Sequence, residues 1–119
     1  MSTHRRNTET VKYEGITITV AAASVLMGMQ RSIAKGEAFR ASNEGEIDPA
    51  RRVLAIVTYP DLVSAVVDAE GIPWPLAFEQ FLELPEVLVT RWEEVTYRLN
   101  PHWLPGYDGE AVEEAEKKE

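Results

Sequence analysis

The sequence contains no cysteine, and this absence excludes several kinds of chemistry at once. Without thiols the chain forms no disulfides, and it has no thiolate ligands to offer zinc or an iron–sulfur cluster. A cysteine nucleophile is excluded for the same reason. The lack of disulfides also agrees with a protein of the reducing cytoplasm, which is the compartment we expect.

Basic residues and long apolar runs are both scarce. The chain has 12 Lys and Arg against 20 Asp and Glu, so its formal net charge is −8. Binding to a phosphate backbone requires a basic face, and we therefore expect no nucleic-acid partner. The longest apolar run, residues 20–29, is about half the length that spans a bilayer, and the start of the chain lacks the apolar core of a secretory signal, so no membrane partner is expected.

Motifs for catalysis, metal binding and phosphate binding are missing as well. His4 and His102 have no histidine or carboxylate at a metal-binding spacing. Glu79 and Glu83 stand four residues apart, as a pair of metal ligands could, but no third ligand joins them. The glycines are scattered and form no phosphate-binding loop. We therefore predict no catalytic residue, no metal and no cofactor.

The residues that are present indicate one small globular domain. The chain has 119 residues, of which 45% are hydrophobic, which is typical of a single domain with one core. Residues 1–9 are polar and predict a flexible arm, residues 10–105 predict the globular domain, and residues 106–119 predict an acidic tail.

The globular part begins with a pattern typical of a β-hairpin. Four apolar residues alternate with polar ones on either side of the Glu14-Gly15 pair. A two-residue loop there places all four on one face of the hairpin, which must pack on the rest of the domain. The four residues are Val11, Tyr13, Ile16 and Ile18.

Apolar periodicity and helix-starting prolines predict about five short helices after the hairpin. In the first helix, apolar residues recur at Ala22, Leu26, Met29 and Ile33. The five predicted helices cover residues 21–39, 48–58, 60–70, 75–84 and 85–99. The predicted fold class is therefore α+β and mainly α, with an N-terminal β-hairpin followed by about five short helices in a compact bundle.

Aromatic and methionine side chains are the most conspicuous remaining feature. One interpretation is that most of them form the core of a short chain. The other is that some line a groove for an apolar helix, because methionine and aromatic side chains adapt to varied partners. The side chains concerned are Met27, Met29, Trp74, Phe78, Phe81, Trp92, Tyr97 and Trp103.

Part of the sequence resembles a known family. The stretch FEQFLELP at residues 78–85, Leu88-Val89, and WEEVTYRLNPHW at residues 92–103 are similar to the small tail assembly chaperones of long-tailed, siphovirus-like bacteriophages and prophages. The similarity covers residues 50–104. Its most specific part is the pattern Trp-x-x-x-x-Tyr-x-Leu-Asn-Pro, which begins at Trp92.

The resemblance implies a function without catalysis. Such a protein is made in the cytoplasm of the bacterial host, binds the tape measure protein, helps to recruit tail tube protein, and is absent from the mature virion. Self-association and a longer frameshifted product, encoded near residues 116–119, are left open. The residues expected to face the client are Met27, Met29, Phe78, Trp92 and Trp103.

Two other interpretations are kept open. The chain could be a structural phage protein of the tail or of the head–tail connector, which would be present in purified particles. It could also be a small adaptor of the host, unconnected with phage. A neighbouring tail tube gene and a very long downstream gene would favour the chaperone.

Overall fold

A computed structural model describes residues 7–42 and 48–104, so the predicted tail and most of the predicted arm lie outside the described residues. The strands are β1 (Thr8–Tyr13), β2 (Ile16–Ala21) and β3 (Val66–Glu70). The α-helices are α1 (Val25–Ser42), α2 (Pro49–Val53), α3 (Tyr59–Ser64), α4 (Phe78–Leu82) and α5 (Glu86–Leu99). A π-helical turn, Leu54–Thr58, joins α2 to α3, and a 3-10 turn, Pro101–Trp103, follows α5.

The predicted hairpin is confirmed, including its register. Tyr13 pairs with Ile16 and Val11 pairs with Ile18. The turn residues Glu14 and Gly15 both have positive φ, 40° and 83°, as a two-residue hairpin loop with the right twist requires. The strand β1 begins at Thr8, two residues earlier than the start of the predicted domain.

The hairpin is extended by a third strand that the sequence did not predict. The order of the antiparallel sheet is β1-β2-β3, and Ala69 of β3 lies opposite Ile18 of β2. The predicted helix over residues 60–70 is therefore wrong in its second half, because the chain leaves α3 at Ala65 and becomes extended. Val66 and Val67 are compatible with a helix or with a strand. Backbone pairing with the free edge of β2 stabilises the strand.

Pro60 does not end a helix as predicted. In a regular α-helix its ring would clash with the carbonyl group of Ile56, and it has no N–H to donate. The π-helical turn accommodates it, with the N–H of Tyr59 reaching back five residues to the carbonyl group of Leu54. Because α2, this turn and α3 are continuous, the described residues contain four helices rather than the five predicted.

The core lies between the inner face of the sheet and the helix α5. The helix α5 packs on the core through Leu88, Trp92 and Val95, which follow one another at intervals of four and three residues and are all buried. The sheet contributes Ile18 and Val20, which are fully buried. The fold is thus α+β and mainly helical, as predicted. The helix α4 is shorter than predicted and supplies Phe81, whose ring meets Trp92 edge-on at 6.1 Å.

Candidate functional site: the outward face of α1

The helix α1 exposes most of its large apolar side chains. Leu26, Met29, Ile33 and Phe39 are between 50% and 65% exposed, and Val25 is more exposed still. The periodic residues that predicted this helix therefore face outwards, and the side that packs on the protein is a different one. A single exposed apolar residue has no special meaning, whereas several along one helix are typical of interaction surfaces.

The packed side of α1 is held mainly by charge rather than by apolar burial. Met27 and Ser42 are the buried residues of this 18-residue helix. Nε of Arg31 lies 2.5 Å from the carboxylate of Asp61 on α3, and Nζ of Lys35 lies 3.2 Å from the same oxygen. The hydroxyl of Tyr97 on α5 donates a hydrogen bond of 2.6 Å to the other oxygen of Asp61. We call Arg31, Lys35, Asp61 and Tyr97 the Asp61 cluster.

Trp103 extends this contact from the turn after α5. The guanidinium group of Arg31 lies 4.7 Å from the centre of the Trp103 ring, which is a cation–π distance. Arg31 also donates a hydrogen bond of 3.4 Å to the carbonyl oxygen of Trp103. The same arginine thus joins α1 to α3 and to the 3-10 turn.

Asn100 anchors the start of α1 at the end of α5. Its side-chain oxygen accepts a hydrogen bond of 2.7 Å from the N–H of Ala23, and its side-chain nitrogen donates to the carbonyl groups of Ala21 and Thr96. Asn100 is fully buried. Its backbone φ of −132° is not helical, and α5 therefore ends at Leu99.

The most specific motif of the sequence is therefore structural. In Trp-x-x-x-x-Tyr-x-Leu-Asn-Pro, Trp92 fills the core, Tyr97 binds Asp61, and Asn100 binds the segment that leads into α1. The Asp61 cluster is not among the sites predicted from the sequence. In the sequence, the cluster is indicated only by an arginine and a lysine four residues apart on α1. Their carboxylate partner, Asp61, lies 30 residues away from Arg31.

The structure separates the five residues predicted to face a client. Met29 is exposed, and Phe78 is half-buried beside Tyr59, with ring centres 5.4 Å apart. Met27, Trp92 and Trp103 are buried, so their side chains are not available to a partner on the surface of this fold. The five predicted residues therefore do not form one patch, whereas five of the ten exposed large apolar residues in the described part of the chain lie on α1.

Two grooves lie beside α1, one near its beginning and the other near its end. One, of about 740 Å³, lies between the first turns of α1 and β3 and includes the side chains of Leu26, Val67 and Trp74. The other, of about 330 Å³, lies between Ala34 and Ala38 of α1 and Tyr59 of α3. Both grooves lie along the side of α1 that contains Met27, Ala34 and Ala38, so the exposed residues Met29 and Ile33 line neither of them.

Burial perturbs two ionisable groups on α5. Desolvation, the hydrogen bond to Asp61 and nearby carboxylates raise the pKa of Tyr97 well above its ordinary value, so the phenol remains protonated and keeps donating. Desolvation, followed by repulsion from Asp61 and Glu94, raises the pKa of Glu93. Acidic side chains therefore accumulate on the α5 side of the Asp61 cluster.

The shift at Glu93 predicts a pH-dependent effect of Glu93→Gln. Because its pKa is higher in the folded chain, ionised Glu93 destabilises the fold once the pH exceeds the pKa of the unfolded chain. The variant should melt at a higher temperature than the wild type at pH 7, with a gain below about 1 kcal/mol because the site is partly exposed. In thermal melts the difference should vanish below about pH 4. The exposed control Glu83→Gln should show no such trend, and an equal gain from both variants would contradict the assignment to burial.

No group of three metal-ligating side chains is present among residues 7–42 and 48–104. Within the same residues, no helix has the length and apolar character needed to cross a bilayer. Comparisons with protein families, with curated proteins and with solved structures find no match to the chain. The exposed face of α1 is therefore the feature of the described residues that bears most directly on function.

Proposed function

We propose that the protein is a non-catalytic tail assembly chaperone of a long-tailed bacteriophage or prophage. It acts in the cytoplasm of the bacterial host, binds apolar helices of the tape measure protein, helps to recruit tail tube protein, and does not remain in the virion. Two observations support the proposal. The first is the resemblance over residues 50–104, and the second, which carries it, is the apolar outward face of α1.

The chemistry of the α1 face suits a client with apolar helices. Each Å² of apolar surface removed from water contributes about 25 cal/mol, and ordering and association costs offset much of that gain. One helix face gives moderate affinity for one client segment. Several copies along a long client would then bind tightly together while each copy remains able to dissociate, as an assembly chaperone requires.

The Asp61 cluster and Asn100 support this role indirectly. They hold α1 against α3 and α5 although few of its apolar side chains are buried. A helix that is already ordered has little conformational entropy to lose on binding. The apolar side chains thus remain available while the helix stays formed.

The test is co-expression with the very long gene next to a tail tube gene. The wild-type chain should keep the tape measure protein soluble and co-elute with it in size-exclusion chromatography. Ile33→Glu should abolish co-elution, because a charge in the centre of the face would have to be desolvated. The matched control Val87→Glu, at an exposed apolar position on α5, should retain the complex.

The alternatives give different results in the same system. An insoluble tape measure protein with no co-eluting complex would contradict the proposal. Detection of this chain by mass spectrometry in purified particles, at a copy number fixed relative to the tail tube, would identify a structural tail or connector protein instead.

A further inference from the structure

A third groove lies between α5 and the segment that includes α4. Its volume is about 310 Å³, and no residue of α1 lines it. The apolar part of its lining consists of Leu54, Phe81, Leu82, Leu84 and Val89. These side chains pack on the core, so they are already held in place before anything binds. The groove lies at the lower end of ligand pockets, about 300–1,000 Å³, and therefore suits a few apolar side chains of a protein partner better than a large cofactor.

The α5 side of this groove is acidic. It contributes Glu86, Thr90 and Glu93, which follow one another at intervals of four and three residues and so lie on one face of the helix. Glu86 is exposed and Glu93 is half-buried. Among residues 7–42 and 48–104, neither carboxylate has an ion-pair partner. The groove thus combines an apolar lining with two carboxylates about 10.5 Å apart along the helix axis.

The arginines of α5 lie on the side of the helix that faces β1. Residues 78–99 carry five glutamates and two arginines. Arg98 forms an ion pair of 2.9 Å with Glu9, and the guanidinium group of Arg91 lies 6.0 Å from the centre of the Tyr13 ring. Both arginines therefore contact β1, and neither lines the groove.

The basic residues that precede the groove residue Leu54 in the sequence are also engaged elsewhere. Arg51 forms an ion pair with Glu79, and the guanidinium group of Arg52 lies 5.7 Å from the centre of the Phe39 ring. Among the described residues, no basic side chain lines the groove. Its charge is therefore negative locally as well as over the whole chain.

The environment of Glu93 favours a cation beside it. Burial, followed by repulsion from Asp61 and Glu94, raises the pKa of Glu93, so its ionised form is disfavoured in the folded chain. Arg31 and Lys35 pair with Asp61 and form no ion pair with Glu93. A carboxylate in such surroundings is typical of functional sites. A positive charge from a partner would offset the repulsion.

We propose that this groove binds a basic amphipathic helix of a partner protein. The apolar side chains of that helix lie on Leu84 and Val89, and two of its lysines or arginines lie beside Glu86 and Glu93. Basic residues seven positions apart on a helix have the same separation as the two carboxylates, and apolar residues three and four positions after the first lie between them. An acidic helix would bring like charges together. The inference goes beyond the proposed function, because it concerns a surface separate from the exposed face of α1 and requires no tape measure protein.

The test uses two fluorescent peptides of about 18 residues, long enough for an alanine-rich helix. Both carry the same leucines, and one has lysines and the other glutamates at two positions seven residues apart. Affinities are measured by fluorescence anisotropy at about 0.15 M salt, where charges more than about 8 Å apart are screened. The wild-type chain should bind the lysine peptide at least about tenfold more tightly, since each of the two ion pairs contributes up to about fivefold.

The variants test the groove without unfolding the chain. Glu93→Gln should bind the lysine peptide about fivefold more weakly, although we expect it to melt at a higher temperature than the wild type at pH 7. Thr90→Lys should bind it about tenfold more weakly, because the new lysine pairs with Glu86 four residues earlier and repels the peptide. The matched control Glu70→Gln removes the same charge at an exposed position on β3 and should leave the affinity unchanged.

The outcomes separate this inference from the proposed function. Equal weakening by Glu93→Gln and Glu70→Gln would show that net charge alone attracts the lysine peptide, and the groove would be wrong. A dimer in sedimentation velocity that Thr90→Lys dissociates would mean that a second copy occupies the groove, which also overturns the inference. If Ile33→Glu abolishes binding of the lysine peptide but Glu93→Gln does not weaken it, the peptide binds the α1 face, the groove is wrong and the proposed function stands. If Glu93→Gln and Thr90→Lys weaken binding and Ile33→Glu does not, the groove is supported whatever the result of co-expression.

Discussion

Gly71→Ala is expected to destabilise the protein by about 3–4 kcal/mol, the larger of two stability effects that the structure predicts. Gly71 has φ of +84°, and a Cβ atom there would lie 2.3 Å from the carbonyl oxygen of Gly15. The obstructing atom belongs to the backbone of the hairpin turn, so the turn after β3 and the turn between β1 and β2 would have to separate. Urea unfolding followed by tryptophan fluorescence measures the loss.

Gly15→Ala is the matched control for this prediction. Gly15 has nearly the same φ, +83°, but a Cβ atom there would contact nothing within 4 Å. The control should therefore show only the backbone strain of a left-handed residue, about 1–2 kcal/mol. Equal losses at both positions would mean that the close approach of the two turns contributes nothing.

Asp61→Asn is expected to destabilise the protein by about 2–3 kcal/mol. The substitution keeps the volume of the side chain and removes the charge that Arg31, Lys35 and the hydroxyl of Tyr97 share. Loss of one partner from a buried ion pair costs about 3–5 kcal/mol in general. We expect less here because the side chains of Arg31 and Lys35 are 18% and 25% exposed and can turn towards water.

The part of the chain that is destabilised in Asp61→Asn is as informative as the change in the free energy of unfolding. Because the Asp61 cluster is the main attachment of α1, hydrogen exchange in Asp61→Asn should accelerate first in residues 25–42 and only later in α5. The control Asp68→Asn, at an exposed position on β3, should change neither stability nor exchange. Uniform acceleration over the whole chain would show that α1 has no separate dependence on the cluster.

Sequence reasoning was accurate where the decisive contacts are local. The Glu14-Gly15 loop and the alternation around it determine which residues of the hairpin pair, since both partners lie within a few residues of the turn. The buried face of α5 follows from the spacing of Leu88, Trp92 and Val95, and the Asn100-Pro101 pair ends the helix where expected. The secondary structure of the hairpin and of α5 is therefore determined by residues that lie close together in the sequence.

Sequence reasoning was less accurate where two structures satisfy the same pattern. Val66 and Val67 fit a helical stripe as well as a strand, and the available edge of β2 selected the strand. Tyr59-Pro60 resembles a helix end, but insertion of one π-helical turn lets the helix continue. A local pattern cannot choose in such cases, because the energy difference comes from residues far away in sequence.

The candidate site shows this division most clearly. The amino-acid sequence by itself determined that α1 is a helix with apolar residues at a regular spacing, and that this chain carries no thiol chemistry. Only the tertiary structure decided that those apolar residues face outwards, because Arg31 and Lys35 pair with Asp61 and Asn100 binds the segment before α1. The spacing of apolar residues shows which side of a helix is apolar, whereas the packed side depends on partners that lie from 26 to 77 residues away in the sequence.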